Sequence, residues 1–408
     1  MNKGASVMKY VVILGDGMAG YPLPAHGMRT CMQLARTPFF DELAKKSTVG
    51  LVKTVPAGFS PGSDVANLSV MGYDPQLYYT GRSPLEAASI GIPLTGDDVT
   101  FRCNLVTLSE EEAYADRTMI DYSAGEISTA EAGELIRALQ AEFDKPPFRL
   151  YAGISYRHCL VLHERRTGSI LTPPHDITGK PVREFLPKGT MGEVLKNMME
   201  RSARILQDHP VNRRRRAEGK RPANSVWFWG EGTKPDLRPF FELYGKKGAV
   251  ISAVDLIKGI GILAGLDVIE VAGATGNWDT NFAGKADAAI KALLGGNDFV
   301  YVHMEAPDEC GHHGDVEKKV YSIEQVDMAA RRVFDGLRKA GEAFAMLILP
   351  DHPTPIEKMT HTSDPVPFLL YRSDEEKGNG ATCFDENEAA KRGLFLPRAC
   401  ELMGAFLR

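Results

Sequence analysis

Apolar and polar positions follow two repeating forms along this chain. Short unbroken apolar runs, "KYVVIL" at 9–14, "DFVYVHME" at 298–305, "FAMLILP" at 344–350 and "VPFLLYR" at 366–372, have the length and composition of strands buried on both faces. Other stretches carry apolar residues every three to four positions. "TPFFDELAKKS" at 37–47, "SDVANLSVMG" at 63–72 and the long "EKKVYSIEQVDMAARRVFDGLRKAG" at 317–341 read as amphipathic helices. Thr37 is expected to cap the first of these, with Pro38 at its first position. "VGLVKTV" at 49–55 reads as a further strand. Strands and helices in alternation predict an α/β fold with a mostly parallel sheet.

The middle of the chain has a different rhythm. "VTFRCNLVTL", "FRLYAGI" and "HCLVLHE" read as strands, interleaved with the helices "TAEAGELIRALQAEF" at 129–143 and "MGEVLKNMMERSARILQDH" at 191–209. This predicts an α+β unit at 97–223 inserted into a core formed by 1–96 and 224–408. In that division "SVWFWGEG" at 225–232 resumes the core. Inserted units of this kind close over substrates, so the boundary loops are hinge candidates. The basic stretch "NRRRRAEGKRPAN", with Arg213 to Arg216, Lys220 and Arg221, reads as a solvated loop, a phosphate-facing role being the sharper alternative.

Composition adds bounds. The chain has 408 residues, 43% of them hydrophobic and 25% charged, with a net charge of −5. That mild acidity argues against general nucleic-acid affinity, and no apolar run approaches the roughly 20 residues of a membrane span. The six cysteines are scattered without a C-x-x-C pair, which suits reduced thiols and a cytoplasmic setting. Met8 is a possible alternative start, with residues 1–7 as a disordered lead. Oligomeric state is not encoded in any visible pattern.

The chemistry concentrates at predicted strand ends. "GDGMAG" at 15–20 has the glycine spacing of a dinucleotide turn, but "YPLPAHG" follows it, and two prolines there cannot open a long helix. Asp16 would also set a carboxylate where a pyrophosphate belongs. An acid at the end of the first strand suits a metal better. "PDECGHHGD" supplies Asp308 and His312, with His313 beside it, after another strand. "LPDHPTP" supplies Asp351 and His352 after a third, and "THTSDPVPF" puts His361 before a fourth. Carboxylates mixed with imidazoles suit Mn²⁺ or Zn²⁺. Ser63, in "FSPGSDVAN", is either the cap of its helix or a nucleophile activated by a metal.

Taken together, Asp16, Ser63, Asp308, His312, Asp351, His352 and His361 resemble the constellation of the alkaline phosphatase superfamily. The long segments "GFSPGSDVANLSVMGYDP", "YTGRSPLEAASIG", "MIDYSAGEIST", "GISYRHCLV" and "GATGNWDTNFAGKADAA" are similar to the archaeal-type cofactor-independent phosphoglycerate mutases, a resemblance that runs nearly end to end. The resemblance implies an alkaline-phosphatase-like core with an inserted cap. It implies one divalent ion on Asp308, His312 and His361 and a second on Asp16, Asp351, His352 and Ser63, with Mn²⁺ the first choice and Mg²⁺, Co²⁺ or Zn²⁺ alternatives. It implies a phosphoserine intermediate on Ser63, no 2,3-bisphosphoglycerate, and a small phosphorylated substrate held by Arg82, Asn104, Asp121, Arg157, His158 and Lys258. Two rivals stay open: a metal-dependent phosphatase of the same superfamily, and a homoserine kinase-like phosphotransferase. The chain lacks a G-x-x-x-x-G-K-[ST] loop.

Overall fold

The computed structural model describes residues 8–408, so the lead at 1–7 lies outside the described residues. The described residues fall into two compact units: 8–79 with 236–408, and 80–235.

The first unit is built on an eight-stranded sheet. Across it the order is Asp267–Val268, Gly248–Ile251, Phe299–Met304, Lys9–Gly15, Phe344–Leu349, Val366–Arg372, Thr48–Val52 and Phe395–Leu396. All pairings are parallel except the two made by Val366–Arg372. The three central strands Phe299–Met304, Lys9–Gly15 and Phe344–Leu349 are almost wholly buried, which is why each reads as a continuous apolar run. Their register pairs Gly15 with Met304 and Leu14 with Leu349, so the three carboxyl ends lie on one edge. Because Val366–Arg372 runs antiparallel, its amino end lies on that same edge.

Helix starts differ from the sequence expectation in two informative places. Pro38 opens its helix, but the Thr37 side chain makes no capping bond. The Asp327 carboxylate, from the long helix Val316–Ala340, accepts from Phe40 N at 2.7 Å instead. The next helix runs Ser63–Val70 with Gly62 at the cap position, so Ser63 is the first helical residue and not the cap.

The second unit is wider than the expected 97–223. Its sheet centres on Val99–Leu108, which pairs antiparallel with Met119–Asp121, Arg157–Leu162 and Ser225–Thr233. Ser225–Thr233 therefore belongs to this sheet and does not resume the core. Residues 80–96 join it because the helix Ser83–Ser89 packs on the same strand. Its core is its own, from Val99 and Phe101 to Trp227 and Phe228. The arginine run is not a loop either. It forms the helix Pro210–Ala217, and Arg215 is buried, giving its guanidinium to Glu131, the Ala124 carbonyl and the Arg221 carbonyl. All six cysteines are free thiols. Among the described residues no helix is long and apolar enough to cross a membrane.

Candidate metal centre and nucleophile

The shared sheet edge gathers the seven residues singled out in the core. Asp16 directly follows Lys9–Gly15, Asp351 and His352 follow Phe344–Leu349, and Asp308 and His312 sit one turn apart on the short helix Ala306–His312. His361 comes in just ahead of Val366–Arg372. One glycine of "GDGMAG", Gly17, serves this arrangement. Gly17 has φ +61°, and a Cβ there would stand 2.5 Å from Asp308 Oδ1. The turn thus clears space for a carboxylate, not for a pyrophosphate.

One group is Asp16, Asp351 and His352, all buried, with a ligand atom of each within 4.8 Å of the others. His352 Nε2 lies 3.3 Å from Asp351 Oδ2, 3.7 Å from Asp16 Oδ1 and 3.1 Å from Ser63 Oγ. The Ser63 hydroxyl, freed from capping, therefore faces this group. A second group is Asp308, His352 and His361. His312 adjoins it, its Nε2 2.9 Å from His361 Nε2 and 3.3 Å from Asp308 Oδ2. His312 Nδ1 lies 3.0 Å from the Met359 carbonyl, a contact that needs Nδ1–H and leaves Nε2 as the free electron pair in the neutral ring. His313 turns away, to the Glu309 carbonyl.

Charge in this site is one-sided. Burial and the nearby Asp351 and Asp308 push the Asp16 carboxyl well above its usual range. Burial keeps the His352 imidazole below its ordinary value. For Asp308 burial acts upward, but hydrogen bonds from His312 and His361 overcome it and hold the carboxyl well below normal. In His312 burial opposes charging, yet the Asp308 partner raises it to about 9. Asp16 Oδ1 is buried with no hydrogen-bond partner. Three converging carboxylates, an orphaned oxygen among them, and imidazole nitrogens that meet at 2.9 Å fit a divalent cation.

Of the other candidates, Lys258 lies in the first unit, on Asp255–Leu263, where its Nζ meets Glu270 at 2.7 and 2.9 Å. Five lie in the second. Arg82 Nε and Arg102 Nε both reach Glu86, at 2.9 and 2.8 Å, and Arg102 stacks 3.9 Å over the Trp229 ring. Asn104 and Arg157 are register partners, and Asn104 Oδ1 accepts from Trp229 Nε1 at 2.9 Å. His158 Nδ1 accepts from Gly153 N, which puts the ring proton on Nε2. That nitrogen is buried and unpartnered. Burial and Arg157 push the imidazole down to about 3, so it is neutral. Asp121 is different: it holds a loop, accepting from Ser123 N, Ser123 Oγ, Gly125 N and Arg221.

The family described as 2,3-bisphosphoglycerate-independent phosphoglycerate mutase matches residues 44–212. A protein of that name from Methanosarcina acetivorans is 52% identical over 406 residues, which span 98% of this chain and all of the relative. The chain belongs to this family. A relative from Geobacter sulfurreducens, named a probable enzyme of this kind, is 49% identical over 98% of the chain and 100% of its own length. Among solved structures, a protein of Pyrococcus horikoshii is similar with a TM-score of 0.81 and 30% identity, covering 99% and 98% of the two chains. A cofactor-independent phosphoglycerate mutase from Thermoplasma acidophilum is similar with a TM-score of 0.65 and 27% identity, covering 98% and 99%.

In this mutase-family chain several neighbours of the centre escaped sequence reading. Asn67 donates to Asp351 Oδ2 and to the Ser63 carbonyl, both at 2.8 Å, and accepts from Tyr301 OH at 2.7 Å. Its position one turn after Ser63 was the available signal. Thr354 donates to Asp308. Buried Lys319 Nζ binds the Thr354 carbonyl at 2.6 Å and approaches the Ala19 carbonyl at 3.4 Å, joining the loops that carry Asp351 and Asp16. A lysine inside a long amphipathic helix gives no sign of this in one dimension.

Proposed function

We propose that the chain interconverts 3-phosphoglycerate and 2-phosphoglycerate through a phosphoserine on Ser63, with two divalent ions, Mn²⁺ first among them. The observation that carries this reading is the Ser63 hydroxyl, excluded from capping and 3.1 Å from His352 Nε2 beside three converging carboxylates. Asp308, His312 and His361 would hold one ion, and Asp16, Asp351, His352 and Ser63 the other. When bound, such ions supply positive charge that lowers the hydroxyl pKa and offsets charge on transferring phosphoryl oxygens.

Ser63 Oγ gives up its proton and attacks phosphorus in line, and the bond to the 3-oxygen of glycerate breaks as that oxygen takes up a proton. The glycerate stays held and shifts, its 2-hydroxyl loses a proton as its oxygen takes the phosphoryl group back, and Ser63 Oγ regains a proton. Asn67 fixes the Ser63 backbone during both steps through its bond to the Ser63 carbonyl. Arg82, Asn104, Arg157, His158 and Lys258 carry the substrate contacts in this reading; the unpartnered Nε2–H of His158 is a donor suited to a carboxylate or phosphate oxygen. Asp121 serves by holding its loop. Free thiols throughout suit a cytoplasmic setting.

The test gives one preparation, loaded with Mn²⁺, 3-phosphoglycerate alone and then homoserine with Mg-ATP. Formation of 2-phosphoglycerate without ATP or 2,3-bisphosphoglycerate is the expected result. Homoserine phosphate at about 1 s⁻¹ or more, with no interconversion of phosphoglycerates, overturns it. Release of inorganic phosphate as the main product would make the protein a phosphatase.

A further inference from the structure

His303 is a fully buried histidine on the penultimate position of the Phe299–Met304 strand, beside Leu14 in register, and the metal-ligand set does not use it. Its Nε2 lies 2.8 Å from Asp16 Oδ2, and its Nδ1 lies 3.2 Å from Ser252 Oγ. With Asp16 ionised, as a cation ligand must be, every proton in this chain of contacts has one place. The ionised Asp16 carboxylate only accepts, so His303 Nε2 then carries the hydrogen. Nδ1 is then an acceptor, and the Ser252 hydroxyl donates to it. Ser252 Oγ in turn accepts from Val254 N at 3.0 Å, leaving no group in the relay with a choice of direction. The His303 carbonyl is tied as well, accepting from the buried Lys285 Nζ at 3.1 Å.

The consequence falls on Asp16. With Oδ2 held by His303, the carboxylate plane is set and Oδ1 is left buried and unpartnered, 3.7 Å from His352 Nε2. Carboxylate and imidazole partners behind a metal ligand characteristically set its orientation, and losing one lowers affinity about 10–100-fold. We infer that His303, oriented by Ser252, is a positioning residue that aims Asp16 Oδ1 at the divalent cation shared with Asp351 and His352. This rests on the two-ion reading above.

The test measures Mn²⁺ uptake by metal-free protein, read by electron paramagnetic resonance titration, for the wild type, His303→Phe, His303→Gln and Ser252→Ala. The expected result is two sites in the wild type, with one weakened about 10–100-fold in His303→Phe and the other unchanged. His303→Gln, whose amide still offers a donor, should recover much of that loss, and Ser252→Ala should show a smaller one. In ¹⁵N-histidine spectra of the protein loaded with diamagnetic Mg²⁺, His303 should be the neutral Nε2–H form. Unchanged uptake in His303→Phe, equal weakening of both sites without rescue by glutamine, or an Nδ1–H ring overturns the inference. A wild type that takes up no Mn²⁺ overturns the metal reading beneath it as well.

Discussion

The Ser63 hydroxyl bonds to His352 and has no capping duty. Ser63→Ala should therefore change stability by no more than about 0.5 kcal/mol, the helix-propensity difference between the two residues, while turnover falls at least about a thousandfold. Melting curves beside an activity assay check this, and a variant that keeps most of its activity rules out the phosphoserine route. His312 gives a pH prediction. In the metal-free protein its proton is held up to about pH 9, chiefly by Asp308 against the opposing effect of burial. A cation must displace that proton, so affinity should fall as pH falls below 9, about tenfold per unit for one proton. Calorimetric titration at pH 7 in two buffers of different ionisation enthalpy should report about one proton released per His312-bound ion; none released contradicts the assignment. Gly17→Ala should cost metal uptake, because the new Cβ meets Asp308 Oδ1 at 2.5 Å in a left-handed turn.

Elements explain what single residues cannot. The arginine run looks uniform in sequence, yet the helix Pro210–Ala217 presents its members to different surroundings. Arg215 is buried against Glu131 and two carbonyls, whereas Arg213 is exposed. Arg215→Ala should destabilise the protein by about 1–3 kcal/mol, because two carbonyls and the partly exposed Glu131 lose their donor. Arg213→Ala should lie within about 0.5 kcal/mol of wild type. Denaturant unfolding distinguishes them, and equal effects would contradict the helix placement. The same logic explains the Thr37 cap. Local sequence nominated a threonine at the helix start, but Asp327, nearly 300 residues away, takes the Phe40 amide.

At the scale of the molecule, two units each have their own sheet and core. The ends of the second unit meet: Thr80 Oγ1 donates to the Thr233 carbonyl, and Thr233 N donates to the Thr80 carbonyl at 3.3 Å. Residues 80–235 should accordingly fold cooperatively when expressed alone and bind no Mn²⁺, since all seven proposed ligands lie in the other unit. A thermal melt and metal analysis check both; an unfolded fragment contradicts the division. In the whole chain, exhaustive chelation should abolish turnover and Mn²⁺ restore it, with full activity of a bare protein as the contrary result.

By itself the sequence determined the α/β class and the parallel core, and it nominated the seven residues proposed for the centre. Buried parallel strands must be apolar throughout, and loops after them must carry any chemistry, so both leave a local pattern. Tertiary structure decided the rest. Whether "SVWFWGEG" joined the core or the inserted unit depended on pairing with Val99–Leu108, a partner more than 100 residues away. Ser63 as first helical residue depended on where Gly62 turned the chain. His303, Asn67 and Lys319 look like ordinary strand and helix positions in one dimension. They acquire a role only because the sheet register and the long helix bring Asp16, Asp351 and Thr354 within hydrogen-bond reach, and polar groups buried there must find partners.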